Sequence, residues 1–148
     1  MKIYQPQQIK KFALIGNSSS GKTTLAEAML FEAKVIDRRG DVESKSATSD
    51  YRPIEHANVN SVFATLLYAE VNDTKINMLD CPGLDDFVGA TVSSLNPIDT
   101  AVMVINAQNG VEVGTEIHNR YCDKFNKPMV IVLNQLDHEK ANVEKCIE

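Results

Sequence analysis

The 148-residue sequence has no tryptophan, few aromatic residues and three cysteines. Cys81, Cys122 and Cys146 form no C-x-x-C pair and have no histidine at a metal-binding spacing, which argues against a zinc site and a disulfide framework. We therefore expect reduced, mostly buried thiols, which are typical of cytoplasmic proteins.

Long apolar runs and an excess of positive charge are also missing. No run approaches the roughly 20 residues that a membrane-spanning helix needs, and the N-terminus has no apolar signal segment. The formal net charge is -5, which gives no overall basic signature for nucleic acid. His56, His118 and His138 stand at no metal-ligand spacing, and we expect them to be solvated. These absences predict one ordinary domain and a monomer that contacts neither DNA nor a membrane.

The most informative stretch runs from Phe12 to Thr24, where an apolar run of strand length leads into Gly16 and then Gly21-Lys22-Thr23. This is the phosphate-binding pattern G-x-x-x-x-G-K-S/T, placed between a predicted strand and a predicted helix. The alternative is a plain glycine-serine turn. Lys22 would place its charge on the β- and γ-phosphates, and the Thr23 hydroxyl would bind Mg²⁺. The predicted nucleotide contacts of this loop are Asn17, Ser18, Ser19, Ser20, Gly21, Lys22, Thr23 and Thr24.

Two further residues predict a magnesium site beside this loop. Asp80-x-x-Gly83 follows an apolar strand, where a carboxylate would hold Mg²⁺ through water and Gly83 would offer its N–H to the γ-phosphate. Ser61 ends a long loop, and its hydroxyl could complete the metal coordination. The alternatives are a plain turn at Asp80 and an ordinary serine at a strand start.

Asn134-Gln135-Leu136-Asp137 follows the last predicted strand and has the pattern of a base-reading loop. The Asp137 carboxylate can accept both the N1–H and the amino donors of guanine, whereas adenine offers no such pair. Asn134 would brace the loop, and Gln135 stands where lysine is usual. The alternative is a polar turn before a helix.

Hydrophobic periodicity predicts an α/β fold with a mostly parallel sheet and helices on both faces. All three motifs follow predicted strands, as nucleotide sites do in such sheets. Leu25, Ala28 and Met29 are the expected inward face of the first helix. The predicted strands are 10–15, 61–71, 75–79, 100–105 and 128–133; the predicted helices are 23–33, 85–95, 112–125 and one from 139; residues 35–60 are predicted as loop.

Together these motifs resemble the GTP-binding domain of translational GTPases, a P-loop NTPase fold, and most closely that of elongation factor G. The distinctive parts are Gly21-Lys22-Thr23-Thr24-Leu25, Asp80-x-Pro82-Gly83-x-x-Asp86-Phe87, residues 104–114 and Asn134-x-x-Asp137. The segments 48–53 and 86–89 resemble elongation factor G-like variants. The resemblance implies GTP or GDP and Mg²⁺ as ligands, the ribosome as partner, translocation as the promoted step and a cytoplasmic location.

The sequence departs from this family at Ser61, Ser19, Gln135 and Leu84. The family usually has threonine, aspartate, lysine and histidine there, in that order. Ser61 keeps the metal-binding hydroxyl. The family's histidine orients the attacking water, which Leu84 cannot do, so weak hydrolysis is expected and no catalytic residue is assigned with certainty. The resemblance also implies that residues 1–148 are an incomplete GTP-binding domain of a larger factor.

Three functional hypotheses follow. The first is a GTP-hydrolysing translation enzyme, and the second is a binding module gated by GTP without effective hydrolysis. Leu84 favours the second, and the resemblance favours the first. The third is a P-loop ATPase or small-molecule kinase, against which Asp137 argues.

Overall fold

The computed structural model of the protein describes residues 2–147. Its strands are β1 (Ile9–Ile15), β2 (Thr65–Val71), β3 (Thr74–Asp80), β4 (Thr100–Asn106) and β5 (Met129–Asn134). They form one sheet in the order β2-β3-β1-β4-β5. β1 pairs in parallel with β3 and β4, β4 pairs in parallel with β5, and β2 pairs antiparallel with β3. The mostly parallel sheet is therefore confirmed.

The helices are α1 (Lys22–Glu32), α2 (Pro53–Asn58), α3 (Val88–Leu95), α4 (Val113–Lys124) and α5 (Val143–Ile147). Successive strand residues point to opposite faces of the sheet, and helices cover both faces. Ile15 packs with Leu95 of α3 and Cys122 of α4 on one face. Leu14 packs with Leu30 of α1 on the other. Burial on both faces explains the continuous apolar strands.

The cysteines are free, as expected. Cys81 and Cys122 are buried, and Cys146 is partly exposed. Burial raises the pKa of the Cys81 thiol to about 12. This thiol is therefore protonated and unreactive at neutral pH.

The prediction that Leu25, Ala28 and Met29 form the inward face of α1 is wrong, because the buried face of the helix is rotated relative to these positions. The fully buried positions include Ala26, Glu27 and Leu30, whereas Leu25 and Met29 pack only at the edge of the core. Lys22 and Thr23 in the first turn are buried as well, so the buried face follows residues 22, 23, 26, 27 and 30. Glu27, a carboxylate, therefore points inward.

Three predicted boundaries also differ. β2 begins at Thr65 instead of residue 61, because the backbone N–H groups of Val62 and Phe63 donate to the Glu55 carboxylate and not to the sheet. The predicted helix 85–95 opens with a short 3-10 turn at 85–87. The last helix begins at Val143, after a turn in which the N–H of Ala141 donates to the carbonyl of His138.

The predicted loop 35–60 contains a helix, α2, that the hydrophobic pattern did not indicate. Pro53 stands at its first position, and the Glu55 carboxylate accepts from the N–H of Arg52 at 3.2 Å. Val59, in the left-handed region with φ 51°, ends the helix. Proline at the start and an acidic residue in the first turn are local signals for a helix start, although the helix is too short to show periodicity.

The Glu27 carboxylate fastens the first half of this long loop to α1. Glu27 is buried, and its two oxygens accept hydrogen bonds from the N–H of Gly40, at 2.7 Å, and from the N–H of Thr48. We expect Glu27→Ala to lower the free energy of unfolding by about 3 kcal/mol or more, because it removes two hydrogen bonds to a charged group, each worth about 1.5–3 kcal/mol.

The matched control for this prediction is Glu32→Ala on the same helix. The Glu32 carboxylate contacts Arg39 at the surface, and exposed pairs contribute about 0–1 kcal/mol. Urea denaturation measures both variants. Equal losses of stability would contradict an anchoring role for Glu27.

Candidate phosphate, metal and base site

The phosphate loop connects β1 to α1 at the carboxyl end of the sheet. Gly16 and Gly21 have positive φ angles, 132° and 88°, which other residues rarely adopt. A Cβ at Gly16 would collide with the carbonyl of Val104, and one at Gly21 with the side chain of Asn134. Both glycines are therefore required by backbone angle and by space, as the motif predicted.

Lys22 lies at the base of this loop with its side chain buried. Its ammonium group donates to the carbonyl oxygen of Asn17 at 2.7 Å. Burial lowers the pKa of Lys22 to about 8, against the nearby charge of Asp80, which raises it. The amine is therefore still mainly protonated at pH 7.

Hydroxyl groups gather around the Asp80 carboxylate at the end of β3. Its Oδ2 accepts hydrogen bonds from Thr23 at 2.8 Å and from Ser49 at 2.7 Å, and the Ser61 hydroxyl lies 3.3 Å from that of Thr23. Oδ1 is buried without a hydrogen-bond partner in the described part of the chain. Burial raises the pKa of Asp80 to about 6, and the hydrogen bonds from Ser49 and Thr23 partly oppose this.

This chemistry fits a hydrated Mg²⁺. The ion prefers oxygen ligands, keeps several waters and uses one or two carboxylates together with substrate phosphates. Asp80 offers an unpaired buried carboxylate oxygen beside the hydroxyls of Thr23 and Ser61. Within residues 2–147 no group of three histidine, cysteine, aspartate or glutamate side chains gathers as a metal site.

Asp50 is a carboxylate of this site that sequence reasoning did not assign. Asp50 is buried and lines a pocket beside the phosphate loop. Neither of its carboxylate oxygens has a hydrogen-bond partner among the described residues. Burial raises the pKa of Asp50, and the neighbouring Ser61 hydroxyl partly counteracts the rise. Its position within a loop gave no chemical pattern that could have identified it.

The predicted base loop contacts the phosphate loop directly. The Asn134 side-chain amide donates to the carbonyl of Ser20 at 2.9 Å, and the Gln135 amide donates to the carbonyl of Ser19 at 3.0 Å. Asn134 thus braces the phosphate loop, and the glutamine in the usual lysine position adds a second contact. The Asp137 side chain is exposed.

A pocket of about 280 Å³ lies between these elements. Of the predicted residues, Asn17, Ser20, Asp80, Asn134 and Asp137 lie outside its lining. The predicted residues that line it are Ser18, Ser19, Gly21, Lys22, Thr23, Thr24, Ser61, Gly83 and Gln135. The long loop adds residues that were not predicted: Asp41, Val42, Glu43, Asp50, Val59 and Asn60.

Gly83 stands against the phosphate loop, since a Cβ there would meet the Lys22 ammonium group and the backbone nitrogen of Ser18. Leu84 follows it, half-buried, at the start of the 3-10 turn. Among the described residues that line the pocket, none is a histidine. The site therefore lacks an imidazole where the resemblance implies one.

The expectation that the histidines are solvated is wrong for His118. It is buried on the inward face of α4, one turn after Gly114, which abuts Asn17 of the phosphate loop. Burial lowers the pKa of His118 to about 4, so the ring is neutral at pH 7. The spacing of Gly114, His118 and Cys122 is helical and marks a buried face, a signal that sequence reasoning overlooked.

The family described as the elongation factor Tu GTP-binding domain matches residues 7–148. The chain belongs to this family. The resemblance to translational GTPases is therefore confirmed, and so is the α/β fold of their GTP-binding domain.

Two relatives illustrate the range of the family. An elongation factor G-like protein of Mycobacterium tuberculosis (strain ATCC 25618 / H37Rv) is 34% identical over 142 residues, which are 96% of this chain and 20% of the relative. Peptide chain release factor 3 of Bordetella pertussis is 38% identical over 141 residues, which are 90% of this chain and 26% of the relative. The chain thus spans about a fifth to a quarter of their length.

Solved structures agree with this family fold. A crystal structure of a protein from Thermus thermophilus matches 87% of this chain and 20% of its own, with a TM-score of 0.85 and 35% identity. Translation elongation factor SelB from Methanococcus maripaludis matches 99% of this chain and 25% of its own, with a TM-score of 0.68 and 22% identity. The second likeness bears on the fold alone.

The helices of this family member are short. Among residues 2–147, no helix has the length and apolar character needed to span a bilayer.

Proposed function

We propose that the chain binds GTP and GDP with Mg²⁺ and acts as the GTP-binding domain of an elongation factor G-like translation factor. One observation carries the proposal: the phosphate loop is hydrogen-bonded to the base loop through Ser20 and Asn134, and to the metal carboxylate through Thr23 and Asp80. The predicted phosphate, base and metal residues are therefore linked by hydrogen bonds, and Thr23, Ser61 and Gln135 line the same pocket. The names of the relatives favour a role in translation.

In this proposal the phosphate loop binds the polyphosphate through its backbone N–H groups at the start of α1. The Lys22 amine exchanges the Asn17 carbonyl for the β- and γ-phosphates. Gly83, packed against Lys22 and Ser18, supplies its N–H to the γ-phosphate. The same contact would transmit loss of that phosphate to the segment after β3, as in other GTPase switches.

Thr23 and Ser61 would hold the metal ion through their hydroxyls, and Asp80 through water. The ion supplies neutralisation of the phosphate charge. Asp80 is buried, its pKa is raised to about 6, and one oxygen is unpaired, so a cation at this position would stabilise the ionised carboxylate.

The wider role in the cell rests on the family. We propose that the ribosome is the partner of the whole protein, that ribosomal translocation is the step it promotes, and that the protein is a cytoplasmic monomer. The release factor 3 relatives make termination the competing step. Ribosome-stimulated turnover measured with elongation complexes and, separately, with termination complexes distinguishes the two.

Base selection gives a direct test of the nucleotide assignment. We expect Asp137→Asn to weaken GTP binding by about 10- to 100-fold, because the amide keeps one accepting oxygen and loses the other, and a hydrogen bond to a charged group is worth about 1.5–3 kcal/mol. The variant should gain affinity for xanthosine triphosphate, since its amide can donate to the xanthine oxygen. Competition titrations with GTP, xanthosine triphosphate and ATP measure both effects.

Asp123→Asn is the matched control, because Asp123 is an exposed aspartate on α4. We expect it to leave the order of nucleotide affinities unchanged. Preference of the wild-type chain for ATP would contradict guanine recognition and favour an ATPase or kinase. A missing shift toward xanthosine triphosphate in Asp137→Asn would contradict the role of this residue.

A second candidate function is a module in which GTP occupancy is the signal and hydrolysis is slow. The observation that favours it is Leu84, which stands beside Gly83 with no donor or acceptor on its side chain.

A further inference from the structure

The hydroxyl of Ser49 occupies one side of the Asp80 carboxylate. Ser49 is 1% exposed, and its Oγ donates to Oδ2 of Asp80 at 2.7 Å. Thr23 donates to the same oxygen at 2.8 Å. Two donors therefore hold Oδ2, and Oδ1 is the carboxylate oxygen that remains without a partner among the described residues.

Ser49 lies in the long loop, and this part of the loop is held by hydrogen bonds on both sides. Its carbonyl oxygen accepts a hydrogen bond from the Thr65 hydroxyl of β2 at 3.0 Å. The preceding residue, Thr48, donates its N–H to the buried carboxylate of Glu27 on α1. Ser49 is thus fixed between a strand and a helix of the scaffold, which is what a residue needs in order to orient another side chain.

We propose that Ser49 is a positioning residue of the candidate Mg²⁺ site. By engaging Oδ2 it fixes the rotamer of Asp80 and leaves Oδ1 as the oxygen available to the water of a bound metal. Residues that orient a metal ligand in this way commonly change metal affinity by about 10–100-fold when removed. The inference rests on the proposed binding of nucleotide with Mg²⁺.

Ser49 also ties the long loop to the metal carboxylate. Asp50, the next residue, lines the same pocket with both oxygens unpaired in the described part of the chain. Loss of the Ser49 hydroxyl would leave Thr23 as the one described donor to Oδ2 of Asp80, so that the carboxylate is held less firmly, and it would loosen the loop segment beside it. A residue that only anchored the loop would affect nucleotide release whether or not metal is present, and this difference provides the test.

The experiment measures dissociation of a fluorescent GDP from the chain across a series of Mg²⁺ concentrations and in excess EDTA. We expect Ser49→Ala to need about 10-fold more Mg²⁺ than wild type to slow dissociation by half. In EDTA the two proteins should release nucleotide at equal rates. Ser49→Thr, which keeps the hydroxyl, should retain the wild-type Mg²⁺ requirement.

Two more variants complete the test. Ser93→Ala is the control, because Ser93 is an exposed serine of α3 whose hydroxyl donates to the carbonyl of Gly89. Ser49→Cys keeps nearly the same volume with a much weaker donor, and it should raise the Mg²⁺ requirement even if the alanine variant fails to fold.

The outcomes separate the two proposals. A wild-type chain whose nucleotide release is insensitive to Mg²⁺ would overturn the proposed metal-dependent binding, and this inference with it. Normal Mg²⁺ dependence in wild type, together with an unchanged requirement in Ser49→Ala and Ser49→Cys, would overturn the role of Ser49 alone. Equal acceleration by these variants in Mg²⁺ and in EDTA would show a loop anchor and would also overturn it.

Discussion

Lys22→Ala is expected to reduce nucleotide affinity by about 30-fold or more, because removing a buried charged partner of a phosphate costs about 2–5 kcal/mol. The pocket makes this charge especially important. Among the described lining residues, Lys22 is the only cation, whereas Asp41, Glu43 and Asp50 are acidic. No lysine or arginine in that lining could replace it in opposing the repulsion of a triphosphate.

The fold itself should tolerate the change. Burial lowers the pKa of Lys22 to about 8, so burying the protonated amine opposes folding at pH 7, and its removal relieves that cost. The lost contact in the free chain is one hydrogen bond to the carbonyl of Asn17. We therefore expect a thermal unfolding midpoint within a few degrees of wild type.

Titration with a fluorescent guanine nucleotide measures the affinity, and circular dichroism follows unfolding. Lys124→Ala, at an exposed lysine of α4, is the control that removes the same charge away from the pocket. Tight GTP binding by a folded Lys22→Ala variant would remove the basis for assigning the phosphate site.

The elements that could be predicted are those whose signals are local. β1, β4 and β5 follow from apolar runs, and the phosphate loop follows from a pattern whose two glycines have positive φ angles. The meeting of Asn134 with the phosphate loop followed from a general rule, that motif loops gather at the carboxyl ends of parallel strands. Such features depend on few long-range contacts.

What could not be predicted depends on contacts between distant residues. Ser49 and Asp50 enter the site because Glu27, on α1, holds the N–H of Thr48. β2 starts late because Glu55 takes the N–H groups that would otherwise join the sheet. Buried carboxylates that bind backbone have no periodic signature, so the sequence alone indicated only an irregular loop.

Leu84 leads to the last prediction, slow hydrolysis with retained GTP binding. The resemblance implies that a histidine at this position orients the water that attacks the γ-phosphate. Phosphoryl transfer depends mainly on positioning and electrostatics, and loss of a positioning or general-base group costs about 10²–10⁴-fold. We expect turnover slower by about that factor than in a histidine-bearing relative, even with ribosomes present.

No described residue that lines the pocket supplies an imidazole in its place. His118 lies near the phosphate loop but is buried, and it is not among the residues that line the pocket. Burial lowers its pKa to about 4, so the ring is a neutral part of the inner face of α4 without access to the γ-phosphate pocket. Asp50 lines the pocket, but its side chain is a carboxylate and not an imidazole.

The rate of hydrolysis is measured as single-turnover phosphate release by the whole protein with saturating ribosomes. Leu84→His tests whether the missing histidine causes the slow rate. We expect it to recover part of the lost rate, with Gln135 and Ser61 limiting the gain. Leu66→His, at an exposed leucine of β2, controls for adding an imidazole elsewhere.

Wild-type phosphate release as fast as that of elongation factor G would show that another group positions the water, and the hypothesis of a module with slow hydrolysis would be dropped. If GTP binding is retained and phosphate release is slow, the signal that this domain carries is nucleotide occupancy and not turnover.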